Sequence, residues 1–338
     1  MSSLKVAIVG QGVSGVTSAY AILEALPGAS VVVFGDRPFE DITSYGPAGF
    51  IVCLEAGHKH WTKVSFDKFA EIERKFGPKS GVKYVSGYEQ SDDEAFLKLM
   101  EDFNGSTVHN FQWMGKRQLS QLVDDPAPFA ISYSSYATEG RVYVPWLRQR
   151  AEALGAVFVR REITNLAALG DEGFNVVINA AGLAGGRLAG DDDTCYPLRG
   201  VGFEIAAPGF KHFSFRDLTM FIIPIDNAIL VGTVRQPGRW DRAVTEADRR
   251  EVFHTLYKAH PNLKGLPVVR EWCGLRPGRP TVRVERQSLK TPKGADVEII
   301  HNYGHSSNGF TLSWGCASDV VSHVLKVYED TGLDRSKI

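Results

Sequence analysis

Lys5-Val6-Ala7-Ile8-Val9-Gly10-Gln11-Gly12-Val13-Ser14-Gly15 is an apolar run of buried-strand length that breaks at once into three glycines. Beyond them Val16, Ala19, Tyr20, Ile22 and Leu23 recur at helical spacing until Pro27-Gly28 stops the pattern. Ser30-Val31-Val32-Val33-Phe34 supplies a second strand that ends at Gly35-Asp36. Strand, glycine turn, helix and strand make one βαβ unit within the first 36 residues. In Gly10-x-Gly12-x-x-Gly15 the first glycine permits a tight turn, the second lets backbone approach a pyrophosphate, and the third allows close helix packing. The helix N-terminus then faces phosphate with unsatisfied N–H groups. Asp36 follows Gly15 by 21 residues, where a carboxylate accepts from a ribose hydroxyl. The pattern predicts a dinucleotide site without separating NAD from FAD.

Outward from this unit, residues 57–140 are richer in charge and aromatics, with helical stretches from Phe66 to Phe76 and from Glu94 to Phe103. A helix from Trp146 to Leu154 leads to strand Val157-Phe158-Val159, and a buried strand at 175–179 runs into Ala180-Ala181-Gly182. Alternating runs at 202–205 and 220–223 read as antiparallel strands. The tail returns to α/β grammar with a strand at 297–300, a glycine-containing loop and a helix from about Ala317 to Glu329. The expected fold is α/β: a discontinuous Rossmann-like domain (residues 1–56, 141–199 and 271–338) with an interleaved α+β substrate domain (57–140 and 200–270) on a mixed sheet.

Composition narrows the function classes. The chain has 338 residues, 43% hydrophobic and 23% charged, enough apolar surface for a sizeable core and about two domains. A net charge of -1 supplies no electrostatic footprint for nucleic acid or an acidic membrane face. No apolar stretch approaches the roughly 20 residues of a spanning helix. Cys53, Cys195, Cys273 and Cys316 show no ligand spacing, and His58 and His60, two apart among charges, show no metal pattern. No metal site is expected, and homo-oligomer formation is left open.

Thr43-Ser44-Tyr45-Gly46-Pro47-Ala48-Gly49-Phe50, Val176-Val177-Ile178-Asn179-Ala180-Ala181-Gly182 and Tyr196-Pro197-Leu198-Arg199-Gly200 resemble the D-amino-acid oxidase and D-aspartate oxidase family. So do Cys273-Gly274-Leu275-Arg276-Pro277-x-Arg279-Pro280 and His301-Asn302-Tyr303-Gly304-His305, and the blocks keep the family's order over nearly the whole chain. The resemblance implies non-covalent FAD and oxidation of a D-amino acid to an imino acid by hydride transfer from Cα to flavin N5. Water then gives the oxo acid and ammonia, and oxygen yields hydrogen peroxide. No residue need act as general base. By position it implies FAD contacts from Gly10, Gly12, Val13, Ser14, Gly15, Asp36, Arg37, Thr43, Ser44, Ala48, Gly49 and Phe50. Ala181, Gly182, Ser306, Ser307, Asn308, Gly309, Phe310 and Thr311 complete that set.

For the substrate, Arg276 matches the arginine that grips the α-carboxylate, a role for which a guanidinium fork suits better than lysine. Arg279 reads as structural. Arg235, followed by Gln236, aligns with an Arg-Gln pair of D-aspartate oxidases, and Arg216 resembles a second arginine on a mobile loop, across a connection about two residues shorter than usual. Ser307 also matches the acidic branch. Phe221 departs from the family, standing where a tyrosine hydroxyl commonly binds the α-carboxylate, a loss of roughly 1 kcal/mol. Cys316 reads as a small core residue rather than a flavin tether. Ser336-Lys337-Ile338 resembles the Ser-Lys-Leu address read by the peroxisomal import receptor.

The expectation is thus an FAD-dependent oxidase of D-Asp and D-Glu, peroxisomal rather than cytoplasmic. Its rival within the class is an oxidase of neutral D-amino acids. An FAD-holding module without turnover and a glycine or sarcosine oxidase fit the arginines less well.

Overall fold

The strand Lys5–Val9 lies inside a six-stranded sheet, between Ser30–Gly35 and Val176–Asn179, and pairs in parallel with both. A computed structural model describes residues 4–232 and 235–330 of the chain. Val157–Arg160 extends the sheet in parallel on one side. On the other, Asp296–Tyr303 pairs in parallel with Val176–Asn179, and Arg283–Lys290 adds an antiparallel edge. Val6, Ala7, Ile8, Val176, Val177 and Ile178 have no solvent exposure, as β-branched strands covered on both faces require.

The helix Val13–Ala25 packs against a long helix, Gly309–Asp330. The sequence pattern places the start of that second helix near Ala317, yet it begins eight residues earlier, with Leu312 N–H donating to the Asn308 carbonyl at 2.9 Å. The small run Gly315-Cys316-Ala317 lies fully buried inside it. The helix expected from Trp146 likewise begins earlier, at Gly140, and holds Pro145 internally.

Two compact units emerge: Met1–Tyr45, Arg141–Pro197 and Arg276–Ile338 form one, Gly46–Gly140 and Leu198–Leu275 the other. The boundaries expected at 56, 199 and 271 shift to 45, 197 and 276 for a physical reason. Ala48–Phe50 hydrogen-bonds to Phe129–Glu139, and Val268–Gly278 pairs with Tyr196–Ile205, so both join the second sheet.

That second sheet has ten strands among the described residues. Its path runs Gln236–Pro237, Tyr196–Ile205, Ile229–Gly232, Met220–Pro224, Phe213–Arg216, Val82–Ser91, Phe129–Glu139 and Ala48–Phe50. Pairing is antiparallel at 202–205 and 220–223, as the alternation predicts, and parallel between Phe213–Arg216 and Val82–Ser91. Phe203, Ile205, Ile222 and Val231 bury one face with Val252 and Leu256 of the helix Glu246–Ala259.

One expectation fails here. Arg216 is not on an open loop: it ends a strand, and Thr219 N–H donates to its carbonyl at 2.7 Å across a tight reversal. Asp217 and Leu218 both take positive φ, 45° and 54°, the twist that fits a short hairpin. The shorter connection closes the hairpin directly.

Candidate active site

The glycine turn divides its labour in the first unit. Gly10 has φ +117°, and a Cβ there would overlap the Ala180 carbonyl; a Cβ on Gly15 would overlap the Gly10 carbonyl. Those two glycines serve backbone packing. Gly12 is different, because a Cβ would stop 3.1 Å from the Ser44 hydroxyl and meet no backbone. Gly12 is the N-cap of Val13–Ala25 and supplies no side-chain cap, and the first turn has no acidic residue. Val13 N–H donates to Ser44 Oγ at 3.1 Å. The end of a 13-residue helix, free of carboxylates, suits a diphosphate.

Asp36 sits exposed just past the second strand, where the Arg37 guanidinium, paired with both carboxylate oxygens, holds its carboxyl below the usual range. An ionised acceptor is what a ribose diol needs. Gln11, which motif reading passed over, donates its side-chain amide to the Arg37 carbonyl and ties the glycine turn to Asp36 and Arg37. Thr43 and Ser44 form one short 3-10 turn.

The next strand delivers Ala181 and Gly182. Asn179, fully buried, donates to the Gly185 carbonyl at 2.9 Å and accepts from Ala181 N–H at 3.4 Å, which shapes the turn. Its amide also meets His301 Nδ1 at 3.2 Å, and His301 Nε2 meets Gln287 Oε1 at 3.0 Å. Burial pushes His301 down to about 4, so the imidazole is neutral and Nδ1 is the acceptor. Gly182 has φ +59° and open space where a Cβ would stand.

Ser306, at φ +49°, donates its N–H to the Pro277 carbonyl at 2.9 Å and turns the chain into the helix Gly309–Asp330. Ser307 is exposed, Asn308, Phe310 and Thr311 are buried, and Gly309 opens the helix. Arg276 is half-buried near the end of Val268–Gly278, with its Nη1 atom shielded from solvent. Arg279 is structural, as expected. Its Nε donates to Asp192 at 2.8 Å and its Nη1 to the Thr281 carbonyl at 2.6 Å. Tyr303 donates to the same Asp192 at 2.7 Å and accepts from Arg283 at 2.9 Å, so this tyrosine cannot replace the missing hydroxyl at Phe221. Cys316 is fully buried, and burial raises its thiol well above the ordinary range, in keeping with a core residue.

The second unit carries the remaining residues. Ala48 packs with Phe221 beside Ile225, Ala228 and Leu230. Gly49 accepts from Thr138 Oγ1 at 3.3 Å, and the Phe50 ring meets Phe213, Phe215 and Tyr133 edge-on or tilted. Arg235 is exposed, immediately before the strand Gln236–Pro237. Arg216 donates to Asp125 at 2.6 Å and to Asp92 at 3.3 Å. Two carboxylates already balance its charge, which argues against its expected role toward a substrate carboxylate. Ser336-Lys337-Ile338 lies outside the described residues.

No group of His, Cys, Asp and Glu among the described residues could hold a metal ion. Gly12, at a helix end free of carboxylates, and the ionised Asp36 instead suit an anionic cofactor that carries a ribose. A family model described as FAD dependent oxidoreductase matches residues 5–322. D-aspartate oxidase 1 of Caenorhabditis elegans is 40% identical over 95% of this chain and 96% of its own length. The human D-aspartate oxidase is 30% identical over 94% of this chain and 93% of its own. Glycine oxidase from Geobacillus kaustophilus superposes with a TM-score of 0.78 at 19% identity, over 95% of each chain, and shares the fold. The chain belongs to the FAD-dependent oxidoreductase family that contains the D-aspartate oxidases. FAD is its cofactor.

Proposed function

We propose that the protein is an FAD-dependent D-aspartate oxidase. It converts D-Asp and D-Glu, with oxygen and water, to the 2-oxo acid, ammonia and hydrogen peroxide. The observation that carries the reading is the 40% identity to a D-aspartate oxidase along 95% of the chain. The residues fit the cofactor, since Gly12 leaves room for a pyrophosphate at a helix end free of carboxylates and Asp36 stays ionised for the ribose.

When bound, FAD supplies a two-electron acceptor for the substrate Cα–H bond and passes the electrons to oxygen. The chain supplies orientation. Arg276 holds the α-carboxylate through a bidentate fork and so fixes where Cα points. No side chain takes a proton from Cα, because the hydrogen leaves with its electrons. A second carboxylate leaving water needs a cation of its own, and Arg235 is the exposed arginine whose position in the sequence matches that role. Phe221 contributes apolar surface where a tyrosine hydroxyl would have added a donor. The reading includes import into peroxisomes through Ser336-Lys337-Ile338, and deletion of that tripeptide should leave a fluorescently tagged protein in the cytosol. A peroxide assay over D-Asp, D-Glu, D-Ala, D-Met and glycine tests the activity. Preference for D-Ala or D-Met would make this a neutral-substrate oxidase, and preference for glycine a glycine oxidase.

A further inference from the structure

Arg199 has no solvent exposure, yet each of its five N–H donors finds an acceptor in one stretch of chain, from the strand residue Gln236 to Asp248 in the first turn of a helix. Nε donates to the Asp241 carbonyl at 3.0 Å. Nη1 donates to Gln236 Oε1 at 2.7 Å and to Asp248 Oδ1 at 3.0 Å. Nη2 donates to the Ala243 carbonyl and to Asp248 Oδ2 at 2.8 Å. Asp248 is itself buried. It accepts from Thr245 N–H at 2.8 Å and Thr245 Oγ1 at 2.9 Å, in the capping box that opens the helix Glu246–Ala259. Gln236 also accepts from Arg239 Nη1 at 2.9 Å, while its backbone registers against Arg199 in the sheet. One guanidinium therefore anchors the chain from Gln236 to Asp248 at four places. Arg235 is the residue immediately before that anchored stretch.

We propose that Arg199, acting through Gln236, is the positioning residue that sets Arg235 for the second carboxylate of an acidic substrate. This rests on the reading of Arg235 given under Proposed function. An arginine on an untethered loop would lose conformational freedom each time it captured a carboxylate. Here the backbone beside it is already fixed by a buried, fully satisfied charge. Arg199 touches no substrate. Its consequence is selectivity, because a neutral substrate makes no use of Arg235.

The test compares kcat/KM for D-Asp and D-Met in the parent, Gln236→Met, Gln236→Asn, Arg235→Ala and the double variant Gln236→Met with Arg235→Ala. Gln236→Met keeps the length but loses the acceptor, and Gln236→Asn keeps the amide but loses the reach. Flavin absorbance and circular dichroism verify that each is folded. Each Gln236 variant should lower the D-Asp to D-Met ratio by about 10-fold, mostly through KM for D-Asp, and the double variant should have the ratio of Arg235→Ala alone. Equal losses on both substrates in the Gln236 variants would make the contact merely structural and overturn the proposal. So would losses in ratio that multiply in the double variant. If Arg235→Ala leaves the ratio where it was, the reading of Arg235 falls first and takes the anchor's role with it. A selective Arg235→Ala beside unselective Gln236 variants removes the anchor alone.

Discussion

Arg276 and Glu89 show how differently two charged side chains can stand in one chain. Arg276 is half-buried on Val268–Gly278, and its fork matches an α-carboxylate that every amino acid carries. Arg276→Leu should cut turnover on acidic and neutral D-amino acids alike by a factor of at least about 10, while leaving the flavin bound, since a charged hydrogen bond contributes roughly 1.5–3 kcal/mol. Steady-state kinetics with a flavin spectrum reads both. Glu89 is 2% exposed in the second unit, accepts from Tyr133 at 3.2 Å, and is raised by burial to about 7, with the Asp217 charge adding to the rise. A carboxyl raised in the fold favours the folded state below its unfolded value of 4.5, and that contribution fades as pH climbs through about 7. Glu89→Gln does not titrate. Its melting point relative to the parent should therefore rise between pH 5 and pH 8, by up to about 3 kcal/mol in stability. A pH-independent difference would show that Glu89 is not the buried acid. At this scale the sequence is legible where a motif names its own neighbours, as around Gly10 and Asp36. It is silent on Arg199, whose partners Gln236 and Asp248 lie 37 and 49 positions away. The available signal was an arginine inside the otherwise apolar run Tyr196-Pro197-Leu198, which a buried strand accepts only with full pairing.

At the level of elements, the turn Gly10–Gly15 separates fold from cofactor. A Cβ on Gly15 strikes backbone, so Gly15→Ala should misfold or melt far below the parent. A Cβ on Gly12 meets only side chains, the Ser44 hydroxyl at 3.1 Å and Ile42 Cδ1 at 3.9 Å, so Gly12→Ala should fold and bind FAD weakly, as a flavin titration followed by circular dichroism would read. Equal FAD affinity in Gly12→Ala would move the pyrophosphate away from this helix end. The reversal after Arg216 permits a second test. Leu218 holds φ +54°, a region costing a β-carbon residue roughly 1–2 kcal/mol, while glycine gives back about 0.5–1 kcal/mol through its freedom in the unfolded chain. Leu218→Gly creates the Asp-Gly pair favoured in such turns and should raise the melting point modestly. A lower midpoint would place Leu218 in a contact worth more than its strain. Elements whose whole period fits in one stretch, such as Lys5–Val9 and Val13–Ala25, are readable directly. The helix Gly309–Asp330 is not readable at its first turns, because Ser307-Asn308-Gly309 carries loop residues that serve as the helix entrance.

Taken whole, the chain passes from one unit to the other at residues 45, 140, 197 and 275. The innermost strand of the first unit, Lys5–Val9, adjoins Val176–Asn179, which in turn adjoins Asp296–Tyr303. The helix behind it, Val13–Ala25, packs on Gly309–Asp330. During synthesis at roughly 5–20 residues per second, the first βαβ unit therefore waits about 15–60 s before its last partners leave the ribosome. Throughout that interval Val16, Ala19, Ile22 and Leu23, fully or almost fully buried in the finished fold, belong to a helix that lacks the cover of Gly309–Asp330. The nascent chain therefore exposes apolar surface of the kind chaperones cover, and its yield in a cell should depend on that delay as well as on final stability. Losing the last helix would uncover the first one, although more than 280 residues of sequence separate them.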